Sequence, residues 1–190
     1  MYICPCIAYY KNTFTTEALP MKNIVLIGMP GTGKSTVGKA LADRLGYDFV
    51  DTDDLIVQTT GKTLPEILRQ DGLAAFYEIE NKVGTDLNRT HTVIATGGSM
   101  VLYPEAMAHL KEGSTVIWLQ TPFSQLEKRM PADLYDRGIA VPAGTPLREI
   151  YEERCILYAQ YADLIVASQD GESDTARLVE DVMRTVGLET

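Results

Sequence analysis

The chain has 190 residues, a formal net charge of −9, 45% apolar and 23% charged residues, which is one domain's length at ordinary globular composition. The acidic balance argues against a nucleic-acid-binding function, which leaves a basic footprint. No apolar run approaches the ~20 residues of a membrane span, and Cys4, Cys6 and Cys155 fit neither a zinc-ligand spacing nor a disulfide framework, so a reducing cytoplasm is the expected setting.

Residues 1–21 stand apart as an N-terminal extension: they lack the basic start and long apolar run of a secretory signal and read either as a mis-called start or as an arm packed on the domain or a partner. Residues 22–190 form the expected single domain. Residues 23–27 (NIVLI) are apolar after Asn23, as in a parallel strand buried on both faces. A glycine-rich turn follows. Residues 35–45 then read as a helix, with Val37, Leu41 and Leu45 on one face and Gly46 as its C-terminal stop. Residues 47–51 predict a second strand. Thr63 to Glu66 has the spacing of a capping box, opening a helical stretch to about residue 87 with a break at Gly72. Residues 92–96 predict a third strand ending at Gly97-Gly98. A helix over 104–110, a strand over 115–119 and a helix over 124–130 follow.

Residues 131–146 contain three prolines and two glycines without a clear period, and a loop that long inside a compact domain is commonly functional. Thr145-Pro146 predicts a helix start with Thr as cap. Residues 164–167 predict the fifth strand and residues 174–186 a closing helix. Alternating strands and helices imply an α/β fold, a five-stranded parallel sheet sandwiched by helices, whose ligands bind beyond the carboxyl ends of the strands.

The strongest motif sits at such an end. Gly28-Met29-Pro30-Gly31-Thr32-Gly33-Lys34-Ser35 matches G-x-x-x-x-G-K-[ST] in full, between a strand and a helix. The glycines let successive N–H groups converge on phosphate oxygens and the helix start adds positive potential. Lys34 is expected at the β- and γ-phosphates, the Ser35 hydroxyl on Mg²⁺, and Thr36 beside them in the nucleotide site. Asp51 and Asp53 stand at and just past the end of the second strand, two residues apart, a spacing that puts both on one face of extended chain. Asp51 then suits the Mg²⁺ shell and Asp53 the acceptor hydroxyl, as its hydrogen-bond partner or base; the plainer alternative is a solvated turn or a helix cap. Arg154 lies on an apolar helical stripe with Leu147, Ile150, Tyr151 and Tyr158. A buried-face arginine needs an anionic partner, either a bound carboxylate or an internal Asp or Glu. His91, His109 and Trp118 read as structural.

Together the P-loop, Asp51-Thr52-Asp53, Asp71-Gly72 with Phe76, Thr96-Gly97-Gly98, Leu126 with Arg129, and Arg154 with Tyr158 resemble the shikimate kinases, over about residues 22–188. The resemblance implies a nucleoside-monophosphate-kinase-like fold with a mobile lid at about 130–146, ATP and Mg²⁺, and transfer of the γ-phosphate to the 3-hydroxyl of shikimate in aromatic amino-acid synthesis. By position it implies Asp53 at the shikimate hydroxyls, Asp51 at the metal, Gly97 and Gly98 at the substrate, Arg154 at its carboxylate, Arg129 at adenine and Arg137 at the transferring phosphate. It also implies a monomer, while the acidic balance and the lack of a spanning run imply no nucleic-acid or membrane partner.

Three segments depart from the family pattern. The usual Phe-Arg is Phe76-Tyr77, the third glycine of the usual Gly-Gly-Gly is Ser99, and the lid's usual Arg-Pro-Leu-Leu is Arg137-Gly138-Ile139-Ala140. Tyr77 brings no charge to the substrate carboxylate. These departures keep open a relative acting on another small polyol or hydroxy acid. A third reading, a nucleotide-binding regulatory NTPase without an acceptor, conflicts with the acceptor-side residues Asp53, Gly97-Gly98 and Arg154.

Overall fold

The computed structural model describes residues 22–131, 133–168 and 175–187. The predicted extension at 1–21, with Cys4 and Cys6, lies outside the described residues. Five strands form one parallel sheet: β1 (Asn23–Ile27), β2 (Asp48–Asp51), β3 (Thr92–Ala95), β4 (Ser114–Gln120) and β5 (Leu164–Ala167), in the order β2-β3-β1-β4-β5. β1 is central, its Ile24 opposite Val93 on one side and Thr115 on the other.

Among the described residues eight α-helices connect and cover the strands: α1 (Lys34–Leu45), α2 (Thr52–Thr60), α3 (Leu64–Gln70), α4 (Gly72–Asp86), α5 (Pro104–Lys111), α6 (Phe123–Arg129), α7 (Leu147–Tyr161) and α8 (Thr175–Thr185). The side-chain period of two splits each apolar strand between two cores. Val25, Ile27, Val116 and Trp118 face one, packed with α5 and α7. Ile24, Leu26, Ile117 and Leu119 face the other, packed with α1 and α8. Burial on both faces explains why these strands carry no polar alternation. Trp118 packs on Tyr158 with ring centroids 5.8 Å apart, and His109 bonds the Leu87 carbonyl, so both serve structure. Among the described residues no helix is long and apolar enough to cross a membrane.

Local signals hold where a specific cap or glycine writes them. Gly46 ends α1 in the left-handed region at φ 66°, and Thr63 with Glu66 forms the full capping box of α3. Gly72, at φ 87°, breaks the predicted long helix into α3 and α4. Helix α2 follows the second strand directly, because Asp51 caps it and Gly61 closes it in the left-handed conformation, so the helix-cap alternative for Asp51 is the one realised. One expectation changes. Thr145 does not cap α7: its hydroxyl donates to the Pro142 carbonyl, and Pro146 itself is the N-cap. The proline- and glycine-rich segment is also less irregular than predicted, since Leu134–Arg137 makes a 3₁₀ turn closed by Gly138.

Candidate active site

The carboxyl ends of β1, β2 and β3 open onto one cavity of about 220 Å³, lined by Lys34, Ser35, Asp53, Glu80, Arg137 and Arg154 among others. Each enters from a different element. The P-loop follows β1, and its curl is set by Gly28, Gly31 and Gly33, all at positive φ. A Cβ on Gly28 would stand 2.6 Å from the Leu119 carbonyl oxygen, so no side chain fits there. Lys34 is buried, and its ammonium donates to the Gly28 and Met29 carbonyls at 2.8 and 2.9 Å. Burial pulls its pKa down to about 8 against the pull of Asp53 and Asp51. Ser35 and Thr36 are exposed and face the cavity, as do Pro30, Gly31 and Gly33. Met29 and Thr32 are buried beneath the loop.

The two aspartates do not share an extended face as their spacing predicted. The strand ends at Asp51, whose carboxylate accepts the Asp53 backbone N–H at 3.0 Å and caps α2, a role for which Asp is among the best residues. Asp53 therefore reaches the cavity from the first turn of a helix, while Asp51 stands behind it and Asp54 is exposed. Desolvation, with the Asp51 carboxylate adding to it, pushes Asp53 up to about 6, and Lys34 opposes the rise.

The turn after β3 is wedged between the nucleotide loop and the acidic groups. Gly97 N–H donates to Thr52 Oγ1 at 2.9 Å, and Tyr158 Oη donates to the Gly98 carbonyl at 2.6 Å. A Cβ on Gly98 would meet Pro30 Cδ at 2.6 Å, and one on Gly97 would overlap Glu80 Oε1. Both positions therefore need glycine on space alone.

Arg154, on α7, is buried and lines the cavity. Its Nη2 donates to the Ala140 carbonyl at 2.8 Å, and among the described residues no acidic side chain forms a salt bridge with it. The internal Asp or Glu partner weighed in the sequence is thus not what holds it. Arg129 lies beside the P-loop, its guanidinium donating to the Gly31 carbonyl and to Gln125 Oε1. Arg137 is exposed and donates to the Arg129 carbonyl at 3.1 Å. The segment behind it descends onto the cavity: Gly138, Ile139 and Ala140 line it, and Ile139 and Ala140 are buried. The glycine in the altered lid sequence has a local reason, since position 138 has φ 70° and a Cβ there would press on Leu64 Cβ at 2.5 Å.

Of the departures from the family pattern, Ser99 stands on the cavity lining and Tyr77 stands behind it. Tyr77 turns its hydroxyl to the Ala140 carbonyl at 3.4 Å and packs edge-on against Tyr103, outside the cavity lining. Ser99 is buried, and its hydroxyl donates to Glu80 Oε2 at 2.6 Å instead of facing a ligand directly. Glu80 itself escaped the sequence reading. It lies fully buried on α4 in register with Phe76 and Gly84, and an acidic residue on an apolar helical stripe is the same kind of signal that marked Arg154.

A complete phosphate loop, an acidic group and a cation on the opposite wall, and an arginine-bearing segment above them define a P-loop kinase: one half suits a nucleotide, the other a small hydroxylated acceptor. The sequence model of the shikimate kinase family matches residues 30–186. A shikimate kinase of Synechococcus elongatus is 41% identical over 168 residues, 86% of this chain and 87% of its own. The structure of the Aquifex aeolicus shikimate kinase is similar with a TM-score of 0.73 at 32% identity, covering 86% of this chain and 95% of that one. The Acinetobacter baumannii shikimate kinase, solved in complex with shikimate, gives 0.74 at 27% identity, covering 86% and 92%. The chain belongs to the shikimate kinase family and is an ATP-dependent phosphotransferase acting on a hydroxyl group.

Proposed function

We propose that the enzyme transfers the γ-phosphate of ATP to the 3-hydroxyl of shikimate, with the acceptor between Asp53, the Gly97-Gly98 turn and Arg154. What carries the reading is that phosphate-side and acceptor-side groups line one cavity. The loop from Gly28 to Ser35, with Thr36, cradles the nucleotide phosphates. Lys34 exchanges its two carbonyl partners for phosphate oxygens, a stronger charge-assisted pairing. Arg129 flanks the adenine side and Arg137 faces the transferring phosphoryl group. Arg154 offers its remaining N–H groups to the acceptor carboxylate, as a guanidinium fork suits that anion. Ser99 acts on the acceptor from the cavity lining and Tyr77 from behind it.

Asp53 takes the acceptor proton or orients its hydroxyl. A group held near pH 6 is a better base than an ordinary carboxylate and is still ionised at neutral pH. The remaining work is positioning and charge stabilisation, with residues 137–140 closing over the site to exclude water.

The donor set fits Mg²⁺. Ser35 at the cavity and Asp51 behind it offer hard oxygens, and among the described residues no cluster of three or more His, Cys, Asp or Glu would cage a metal. That matches an ion held through one or two protein oxygens, phosphates and water. When bound, Mg²⁺ neutralises charge building on the β- and γ-phosphates. The reading includes a cytoplasmic monomer, since one chain supplies every group named.

The test is coupled ADP release with Mg²⁺–ATP, with and without shikimate. Strong shikimate-dependent turnover is expected, abolished in Lys34→Ala at unchanged far-ultraviolet circular dichroism. ATP hydrolysis indifferent to shikimate would overturn the acceptor assignment. Near-normal turnover by the variant would overturn the role of Lys34.

A further inference from the structure

Glu80 is a titratable group that the chemistry above does not use. Its side chain is fully buried, and its two oxygens have unlike surroundings. Oε2 accepts two hydroxyl hydrogen bonds, from Ser99 at 2.6 Å and from Tyr103 at 2.9 Å. Oε1 has no hydrogen-bond partner and lies against Gly97, on the same side of that residue as Asp53 Oδ1. The two hydroxyl donors favour the carboxylate, but the second oxygen, buried without a donor, lacks the pairing an anion needs there, which favours the neutral acid. The doubly bonded oxygen accepts, and the other carries a proton that must find an acceptor. Glu80 belongs to the cavity lining, which puts Oε1, covered in the free site, next to where the phosphoryl acceptor binds.

Charge points the same way. The groups facing Glu80 are Asp53 from α2, Ser99 and Tyr103 after β3, Arg154 and Tyr158 from α7, and Tyr77 from its own helix. Of these only Arg154 is cationic, against the Asp53 carboxylate. Tyr77 stands where an arginine would have added a second positive charge. An acceptor that brings its own carboxylate to Arg154 leaves no cation for an ionised Glu80.

We propose that Glu80 is a specificity-determining residue that binds the acceptor as a neutral acid, donating from Oε1 to an acceptor oxygen, with Ser99 and Tyr103 fixing its orientation in place of a second cation. The proton comes from solvent, so the enzyme takes up a proton when a carboxylate-bearing acceptor enters above the pH where Glu80 ionises. Burial already lifts Glu80 to about 7 in the free site, the Ser99 and Tyr103 hydroxyls and Arg154 opposing the rise and Asp53 adding to it. The inference rests on shikimate being the acceptor.

The experiment is shikimate binding to the full chain by titration calorimetry from pH 6 to 9, in buffers of differing ionisation enthalpy, for wild type, Glu80→Gln, Glu80→Ala and Tyr77→Arg. In the wild type Kd should weaken above pH 7, by up to about tenfold per unit, with uptake approaching one proton. E80Q keeps a neutral donor at the Oε1 position. It should bind more tightly than wild type at pH 8.5, with no such slope and no Glu80-dependent proton uptake. E80A should bind weakly at every pH. Y77R, which restores a fixed cation, should flatten the profile. Lys34 and Asp53 also titrate nearby but are present in all four proteins, so the difference between wild type and E80Q isolates Glu80. Wild-type binding with a pH-independent Kd, or the same slope in E80Q, overturns the inference alone. Absence of shikimate binding at every pH overturns the acceptor assignment and the inference with it.

Discussion

Replacing Arg154 by methionine separates a ligand-binding role from a structural one, because the two predict opposite outcomes. Arg154 is buried at 3% exposure, donating to the Ala140 carbonyl and lying beside the Tyr158 hydroxyl. Each bond to an ionised group is worth about 1.5–3 kcal/mol when its partner is charged. Losing one such bond to the acceptor carboxylate at 1.4 kcal/mol per decade lowers kcat/KM for shikimate by roughly 10- to 150-fold. Stability should move little. Methionine fills much of the same volume, the cost of a buried charge disappears, and Ala140 keeps the Tyr77 hydroxyl as a donor. These terms offset the lost bonds to within about 1 kcal/mol. Coupled ADP release at saturating ATP with shikimate varied gives the first number, and urea unfolding of the unliganded protein gives the second. A variant whose kcat/KM for shikimate stays within threefold of wild type refutes the carboxylate role. A loss of several kcal/mol in unfolding free energy would instead make Arg154 a structural residue.

Two further predictions come from the same geometry. Gly98→Ala puts a methyl 2.6 Å from Pro30 Cδ, and overpacking of that kind costs about 1–3 kcal/mol. The strain falls on the nucleotide loop as well as on the acceptor turn, so KM should rise for both substrates; a rise for shikimate alone would show that the turn moves without disturbing the loop. The pH dependence of stability should report Glu80. Its folded pKa of about 7 lies above the ordinary 4.5, so between those values the native state binds more protons than the unfolded one and stability is lost as pH rises. Urea unfolding should find E80Q gaining on wild type by about 1–3 kcal/mol from pH 5 to pH 8, and a difference that stays constant across that window would mean Glu80 is not held as an acid.

The sheet and the nucleotide loop were legible because each is written in adjacent residues. Short, mostly apolar runs specify buried parallel strands, and the P-loop carries its own glycines, cation and hydroxyl within eight positions. The acceptor half was legible only in outline. Arg154 could be singled out because a charge on an apolar stripe breaks the helical pattern, and Glu80 breaks its pattern in the same way. What no local pattern contains is which oxygen of Glu80 is left without a donor, since that depends on Ser99 and Tyr103, which lie 19 and 23 residues further on. Asp51 and Asp53 were misread in orientation because strand geometry was extended across them, while the cap that Asp51 provides switches the chain to a helix between the two.

The place of β1 in the sheet bears on how the protein is made. Its two hydrogen-bonding neighbours are β3, about 70 residues later in the chain, and β4, about 90 later. During synthesis the strand that carries the nucleotide loop leaves the ribosome with both edges unpaired, and its pairing waits on long-range closure, the slow class of folding event. Nucleotide affinity is therefore a late acquisition of the nascent chain. Capture on immobilised ATP should select chains whose sheet is complete and pass over those truncated before residue 114.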